Sequence, residues 1–296
     1  MYSKPFLKWV GGKTQIISTV LQHIPTSICN YYEPFLGGGS VLIAVLESVI
    51  RGDRVITGTT YAFDLNNVLV HTFINIQTRP DDVITHLKQF VDEMNDTSTK
   101  HVYTTSKRVM NGMEAHYYIM RDLYNHMDTL DKESPRGSAL FIFLNKTCFR
   151  GIHREGPNGF NVPYGHYKNP SVYNVEHIKY ISKLIQPVVF RCCKFETLLS
   201  TSTFGTDDFI YMDPPYVKLA KTSFDGYTSD GFNSDRLFVI CKDLDSRKVR
   251  ITMSNSKTDK VLHALKGWHI LCIDCKRSIH AYDPSSKTIE IIATNW

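Results

Sequence analysis

The tetrapeptide Asp213-Pro214-Pro215-Tyr216 sets a carboxylate, two imino residues and an aromatic ring side by side. An ionised carboxylate only accepts hydrogen bonds. The prolines have no N–H, so the backbone there offers carbonyl oxygens on a rigid path. Tyr216 adds a flat stacking face. Two acceptors and one ring suit a planar group bearing an exocyclic NH2, such as the N6 amine of adenine. A strand running into a Pro-Pro turn would contain the same residues, so the tetrapeptide alone does not separate the two readings. Its surroundings do. Phe209-Ile-Tyr-Met212, just upstream, has the length and apolarity of a short buried strand. In an open α/β sheet, ligands bind beyond the carboxyl ends of strands.

Two glycine-rich turns are the other chemically informative stretches. Glu33-Pro34-Phe35-Leu36-Gly37-Gly38-Gly39-Ser40 lies between a strand starting at Tyr31 and an apolar helix through Ile50. Glycines there admit positive φ and let the backbone approach a bound molecule closely. Tyr61-Ala-Phe-Asp64 reads as the next strand, with an acid at its carboxyl end placed to accept from ribose hydroxyls. The other turn, Gly11-Gly12-Lys13-Thr14, resembles the end of a P-loop. That motif needs a glycine where this chain has Leu7, so a triphosphate-binding reading is weak.

These motifs need an alternating α/β frame, and the chain supplies one. Helices are expected near Thr14–His23, over 66–94 with a break at Arg79-Pro80 and a cap at Asp81 or Asp82, and over Val175–Ile185, Phe232–Leu244 and Asp259–Leu265. Strands are expected over Val188–Phe190, up to Met212, and over Val249–Met253, with His269–Asp274 and Thr288–Thr294 as a closing pair. The polar stretch from about Asn95 to Pro135 lacks strand rhythm. Ala139–Phe149 is apolar, and Gly156-Pro-Asn-Gly159 marks a hairpin or long turn. Between Arg136 and Lys168 stand five bases (Arg136, Lys146, Arg150, Arg154 and Lys168) against one acid, Glu155, interleaved with Phe149, Phe160, Tyr164 and Tyr167. Bases with aromatics are a nucleic-acid-binding composition, though a solvated loop looks similar. The fold expected is an α/β Rossmann-like sheet domain formed by residues 1–78 and 178–296, with a mostly helical recognition module, residues 79–177, inserted into it.

The net charge of +5 permits a polyanionic partner without requiring one. No apolar run approaches the ~20 residues of a membrane span, and the N-terminal stretch lacks a signal-peptide core. Seven cysteines in irregular spacing fit a reducing compartment, so a cytoplasmic protein is expected. Cys272-x-x-Cys275 has no second pair at zinc spacing, and no metal is expected.

Taken in order, Phe6-Leu-Lys-Trp-Val-Gly-Gly-Lys13, Glu33–Ser40, Asp64, Asn158-Gly-Phe-Asn-Val-Pro-Tyr-Gly165, Asp213–Tyr216 and Thr222-Ser-Phe resemble the Dam-type (D12 class, alpha group) DNA adenine-N6 methyltransferases. The resemblance spans nearly the whole chain. It implies S-adenosylmethionine (SAM) as methyl donor, S-adenosylhomocysteine as product and a class I methyltransferase fold. It implies that Trp9 and Lys13 help hold the cofactor, that Gly37–Gly39 cradles its methionine part and that Asp64 takes the ribose. Pro34, Phe35, Ser40, Leu65 and Phe195 would complete that pocket, and Asp213 would lie between cofactor and base. Where relatives carry Asp-Phe near the cofactor's adenine, this chain has Lys194-Phe195. Lys8, Arg150, Ile152, Arg154, Asn161, Pro163 and Tyr164 fall where relatives contact double-stranded DNA. Those positions point to a short palindrome, GATC first and CATG second, because Thr147-Cys-Phe-Arg150 departs from the GATC pattern. An inactive DNA-binding relative, or a methyltransferase of RNA or a protein amide, are the alternatives. A cognate restriction endonuclease is possible, and either a monomer or a dimer.

Overall fold

The computed structural model describes residues 2–96, 98, 100–105, 108–217, 232–276 and 287–296. The Thr222-Ser-Phe segment lies outside them. The frame is one seven-stranded sheet of β1 (Tyr31–Glu33), β2 (Thr60–Asp64), β3 (Val188–Cys192), β4 (Phe209–Met212), β5 (Arg250–Ser256), β6 (His269–Lys276) and β7 (Lys287–Thr294). Its order is β6-β7-β5-β4-β1-β2-β3. β1 to β5 pair in parallel, whereas β7 runs antiparallel to both β5 and β6. This is the doubly wound order with one reversed strand slotted in near its edge, the class I methyltransferase arrangement expected.

Burial explains why Phe209–Met212 is a strand. All four side chains are inaccessible, and alternate residues enter opposite layers. Phe209 and Tyr211 pack with α2 (Ser40–Ile50) and α3 (Asn67–Thr78) in one apolar cluster, while Ile210 and Met212 join a second cluster with α10 (Ser234–Ser246). A parallel strand covered on both faces reads as a continuous apolar run, which is how it looks in the sequence.

Besides these three helices, the chain forms α1 (Ile17–Gln22), α4 (Pro80–Asn95), α5 (Gly112–His126), α6 (Thr129–Glu133), α7 (Pro135–Thr147), α8 (Val175–Leu184), α9 (Phe195–Thr201) and α11 (Asp259–Ala264). The cap expected at Asp81 or Asp82 is corrected. Pro80 occupies the first helical turn with Arg79 as N-cap, so both acids sit inside that turn, against the positive end of the helix dipole. The Gly156–Gly159 turn does form a hairpin, pairing Glu155–Gly156 with Gly159–Phe160. A second small hairpin, Val102–Thr104 with Val109–Asn111, and α9 were too short to carry a readable period. Residues of α4, α5 and α7 share one continuous apolar cluster with β1, β4 and α2.

Phe73 of α3 is fully buried, edge-on to Phe6 at 4.9 Å and stacked near Phe190 at 5.3 Å. It also lies under the glycine turn, where a Cβ on Gly39 would come within 2.9 Å of its ring. Phe73→Ala should therefore cost about 3–5 kcal/mol, measured as a lowered urea midpoint with an unchanged denaturant slope.

Candidate active site

The sheet order reverses between β1 and β4. From β1 the chain winds outward through β2 and β3; from β4 it winds the other way through β5. Their carboxyl ends therefore open a crevice, and the two motif segments leave from them. Glu33 ends β1 and leads into the glycine turn, while Met212 ends β4 and leads into Asp213-Pro214-Pro215-Tyr216. Sequence position alone could not set these side by side; the parallel pairing of Phe209 with Tyr31 does.

Lys13 reaches into this crevice from the turn before α1. Its ammonium lies 2.7 Å from Asp213 Oδ2 and also donates to the Gly11 carbonyl, with a side chain only 3% exposed. Its backbone N–H donates to Ser40 Oγ at 3.1 Å, tying the two glycine turns together. Burial raises the Asp213 carboxyl above its ordinary range, and the Lys13 ammonium opposes that shift. The same ammonium sits 5.0 Å from the centre of the Tyr216 ring. The Tyr216 hydroxyl donates to Glu290 Oε2 at 2.9 Å and also lies near enough to Asp213 to favour its ionised form. Beneath them Glu33, 2% exposed, accepts from the Tyr31 hydroxyl at 2.6 Å. Loss of solvation pushes its carboxyl up to about 8, against the pull of that hydrogen bond. Lys13, expected at the cofactor, is thus the partner of the Asp213 carboxylate. Glu33 opens the glycine-turn motif without its contact to Tyr31 being legible there, and Glu290 carries no motif signal, since a strand acid looks like any other until the sheet is assembled.

The glycine turn after β1 forms one wall of the crevice. Gly37 and Gly39 have φ of 48° and 74°, and a Cβ on Gly37 would lie 2.9 Å from Trp9 Cδ1. Both sterics and backbone thus require glycine at Gly37, where Trp9 closes over the turn. Asp64 ends β2 and accepts from the Gly37 N–H at 2.9 Å and the Asn66 N–H at 2.9 Å. Burial raises its carboxyl above the usual value while those backbone donors lower it. Asp64 thus holds the glycine turn directly. Leu65 beside it is half-exposed, Pro34 is buried, and Phe35 packs against Phe195 at 5.5 Å and Phe232 at 5.9 Å. The three rings pack against one another in one aromatic cluster. Lys194 is exposed and N-caps α9 without a side-chain bond, so the acceptor that Asp would offer is missing there. No group of three or more His, Cys, Asp or Glu side chains able to hold a metal occurs among the described residues.

Of the positions expected to meet DNA, Lys8 is held by α7 and the turn after it, and Arg154 and Asn161 face each other across the small hairpin. Asn145 brackets Lys8, accepting from its N–H and donating to its carbonyl at 2.8 Å each, and the Lys8 ammonium lies 4.4 Å from the Tyr167 ring centre. Gly151, at φ 67°, packs so tightly on the Lys8 stem that a Cβ would overlap it. Arg150 is exposed, at φ 56°. Arg154 Nε donates to Asn161 Oδ1 at 2.6 Å across the hairpin, which sets the plane of the guanidinium. Ile152 is half-buried and Pro163 exposed, but Tyr164 is only 5% exposed, packed on Tyr117. Tyr164 therefore supports the loop from beneath rather than presenting its ring outward. Between the two regions, His153 stacks on Trp9 with ring centres 5.6 Å apart. Neither Asn145 nor His153 stood out in the sequence, because each acts through neighbours far away in it.

Because the folded Glu33 carboxyl is raised to about 8 from an ordinary 4.5, the folded state holds a proton that the unfolded chain releases. Stability linked to Glu33 is thus full below about pH 4.5 and is lost as pH rises toward 8. Glu33→Gln, which stays neutral, should raise the thermal midpoint at pH 8 relative to the parent and flatten its decline from pH 5 to 8. Calorimetric scans across that range check both.

Comparison with known proteins agrees with this geometry. A family model described as D12 class N6 adenine-specific DNA methyltransferase matches residues 9–279. The chain is 35% identical to the Type II methyltransferase M.MjaIII of Methanocaldococcus jannaschii, with 100% of both chains covered. It is 30% identical to the Type II methyltransferase M1.LlaDCHI of Lactococcus lactis subsp. cremoris, over 99% of this chain and 95% of that one. Identity to a DNA adenine methylase of Serratia marcescens is 27%, covering 78% and 74%. With a doubly wound sheet, a glycine cradle and an Asp-Pro-Pro-Tyr at its switch point, the chain belongs to the D12 class of N6 adenine-specific DNA methyltransferases.

Proposed function

We propose that this chain methylates N6 of an adenine flipped out of a short palindromic site in duplex DNA, with SAM as donor. The observation that carries this is the Asp213 carboxylate, held by Lys13 at the carboxyl end of β4 and facing the glycine cradle. An adenine in duplex DNA hides its N6, so the base must leave the stack at a few kcal/mol of lost stacking and pairing. Tyr216 recovers part of this by stacking. The N6 lone pair is delocalised into the ring and is a poor nucleophile. Asp213 and the Pro214 carbonyl accept hydrogen bonds from the NH2 and draw the nitrogen toward tetrahedral geometry, which frees the lone pair for in-line attack. SAM, when bound, would supply an electrophilic sulfonium methyl, the N–C bond forming as C–S breaks to leave the thioether S-adenosylhomocysteine, and the surplus N6 proton would pass to solvent. Asp213 need not remove that proton first. The protein contributes position and preorganised charge, and Lys13 keeps Asp213 an acceptor despite its burial.

Pinned through Nε to Asn161, Arg154 still carries N–H groups on its terminal amines, the fork that meets guanine O6 and N7. Ile152 offers an apolar surface to a thymine methyl, and Lys8 a further donor to guanine. This favours GATC, with CATG the second candidate. The likeness to Type II methyltransferases makes a cognate restriction endonuclease a natural partner. No helix among the described residues is long and apolar enough to cross a membrane.

Asp213→Ala should abolish methyl transfer while leaving the unfolding transition cooperative; tritium incorporation from labelled SAM measures it, and near-normal turnover would remove Asp213 from the mechanism. Arg154→Ala should cost about 1–3 kcal/mol and relax one base position of the site. Methylation rates on every single-base variant of GATC and CATG check this. A loss equal on all sequences, with a shallower salt dependence, would make Arg154 a phosphate contact instead.

A further inference from the structure

One acid at the rim of the crevice has no part in the mechanism above. Glu290 lies near the start of β7, paired across the sheet with Ser256 of β5 and Ile273 of β6. Because β7 runs against β5, its beginning lies at the carboxyl edge of the parallel strands. A residue early in β7 thus arrives at the same edge as the residues that end β1, β4 and β5. There Glu290 Oε2 accepts the Tyr216 hydroxyl at 2.9 Å. The next residue is gripped from the same edge: Asn255 Oδ1 accepts the Val217 N–H at 3.2 Å, and Ser256 Oγ donates to the Val217 carbonyl. The chain leaving the prolines is held on its backbone by β5 and on its tyrosine ring by β7.

We propose that Glu290 is a positioning residue for the base platform: by accepting the Tyr216 hydroxyl it sets the tilt of the ring and keeps that hydroxyl from occupying Asp213. This rests on the reading of Asp213 and Tyr216 as the site that takes the adenine. Two acceptors compete for one phenolic proton, since the Tyr216 hydroxyl lies near both Asp213 and Glu290 and its hydrogen bond runs to Glu290. Without the acid on β7, Asp213 becomes the nearest strong acceptor, and a carboxylate bonded to the tyrosine has less capacity for the incoming amine. Loss of the anchor also lets the ring turn about its side-chain torsions, so stacking no longer places N6 in line.

The test is a double-mutant cycle on the full chain. Single-turnover methylation of a duplex carrying the preferred site, at saturating SAM, is compared for Glu290→Ala, Glu290→Gln, Tyr216→Phe and Tyr216→Phe/Glu290→Ala. Calorimetric titration with S-adenosylhomocysteine accompanies each. Glu290→Ala and Tyr216→Phe should each slow the step by about tenfold, the scale of one charge-assisted hydrogen bond. The double variant should be no slower than either single one, as expected when both changes break one interaction. Glu290→Gln keeps an acceptor oxygen and should recover to within about threefold of the parent, with product affinity unchanged throughout. An unaltered rate in Glu290→Ala, a further tenfold loss in the Tyr216→Phe background, or a parallel fall in product affinity would each overturn the role. Asp213→Ala runs in the same series. Turnover there would overturn the active-site reading itself, whereas an inactive Asp213→Ala with additive Glu290 and Tyr216 effects would overturn only the positioning role.

Discussion

The ion pair between Lys13 and Asp213 is the contact on which the arrangement of the crevice depends. A carboxylate at the end of a strand buried on both faces has lost most of its hydration, and left alone it would take up a proton. One ammonium at 2.7 Å opposes that. Pairs of this kind add little net stability, but removing one partner typically costs about 3–5 kcal/mol because the other charge is left buried. The pair also joins the N-terminal turn to the centre of the sheet. Lys13 is bonded through its backbone to Ser40, its ammonium to Asp213 and Gly11, and Trp9 a few residues earlier closes over Gly37. The first residues of the chain are thereby made a wall of the site.

A second constraint is the concentration of carboxylates around that single ammonium. Glu33, Asp213 and Glu290 come from β1, the end of β4 and β7; the Asp213 charge raises the Glu33 carboxyl, and the Glu290 charge raises that of Asp213. Two have their oxygens occupied by tyrosine hydroxyls, from Tyr31 and Tyr216. The Lys13–Asp213 pair and the acids flanking it are in place before anything binds. Preorganised charge of this kind needs no rearrangement at the moment of transfer.

The basic side chains around α7 follow a different principle. Lys8 is held by Asn145 of α7 and covered by Gly151, and Arg154 is braced by Asn161 across its hairpin. Long cationic side chains are expensive to order, so prior bracing of their stems or planes reduces what binding must supply. Lys146 stands close to Lys8, and burial together with that neighbour's charge pulls its ammonium down to about 8. A phosphate arriving near these two bases would relieve their repulsion. His153 stacks on Trp9 and immediately precedes Arg154, so the N-terminal turn and the small hairpin share a contact.

What the sequence determined by itself was the local chemistry. Asp213-Pro214-Pro215-Tyr216 after four apolar residues, glycines before an apolar helix, and an acid ending the next strand were legible because each depends on neighbours within a few residues. The alternation of strands and helices was legible for the same reason, down to the two closing strands. Short elements such as α9 were not, since seven residues hold too few turns to display a period. Only the tertiary structure decided which side chains meet. It paired Lys13 with Asp213 across 200 positions of chain, turned Tyr164 inward as a support, and reversed β7 so that Glu290 reaches the rim. Strand order and direction are settled by burying both faces of the sheet at once, a condition on the whole chain that no short stretch of it can express.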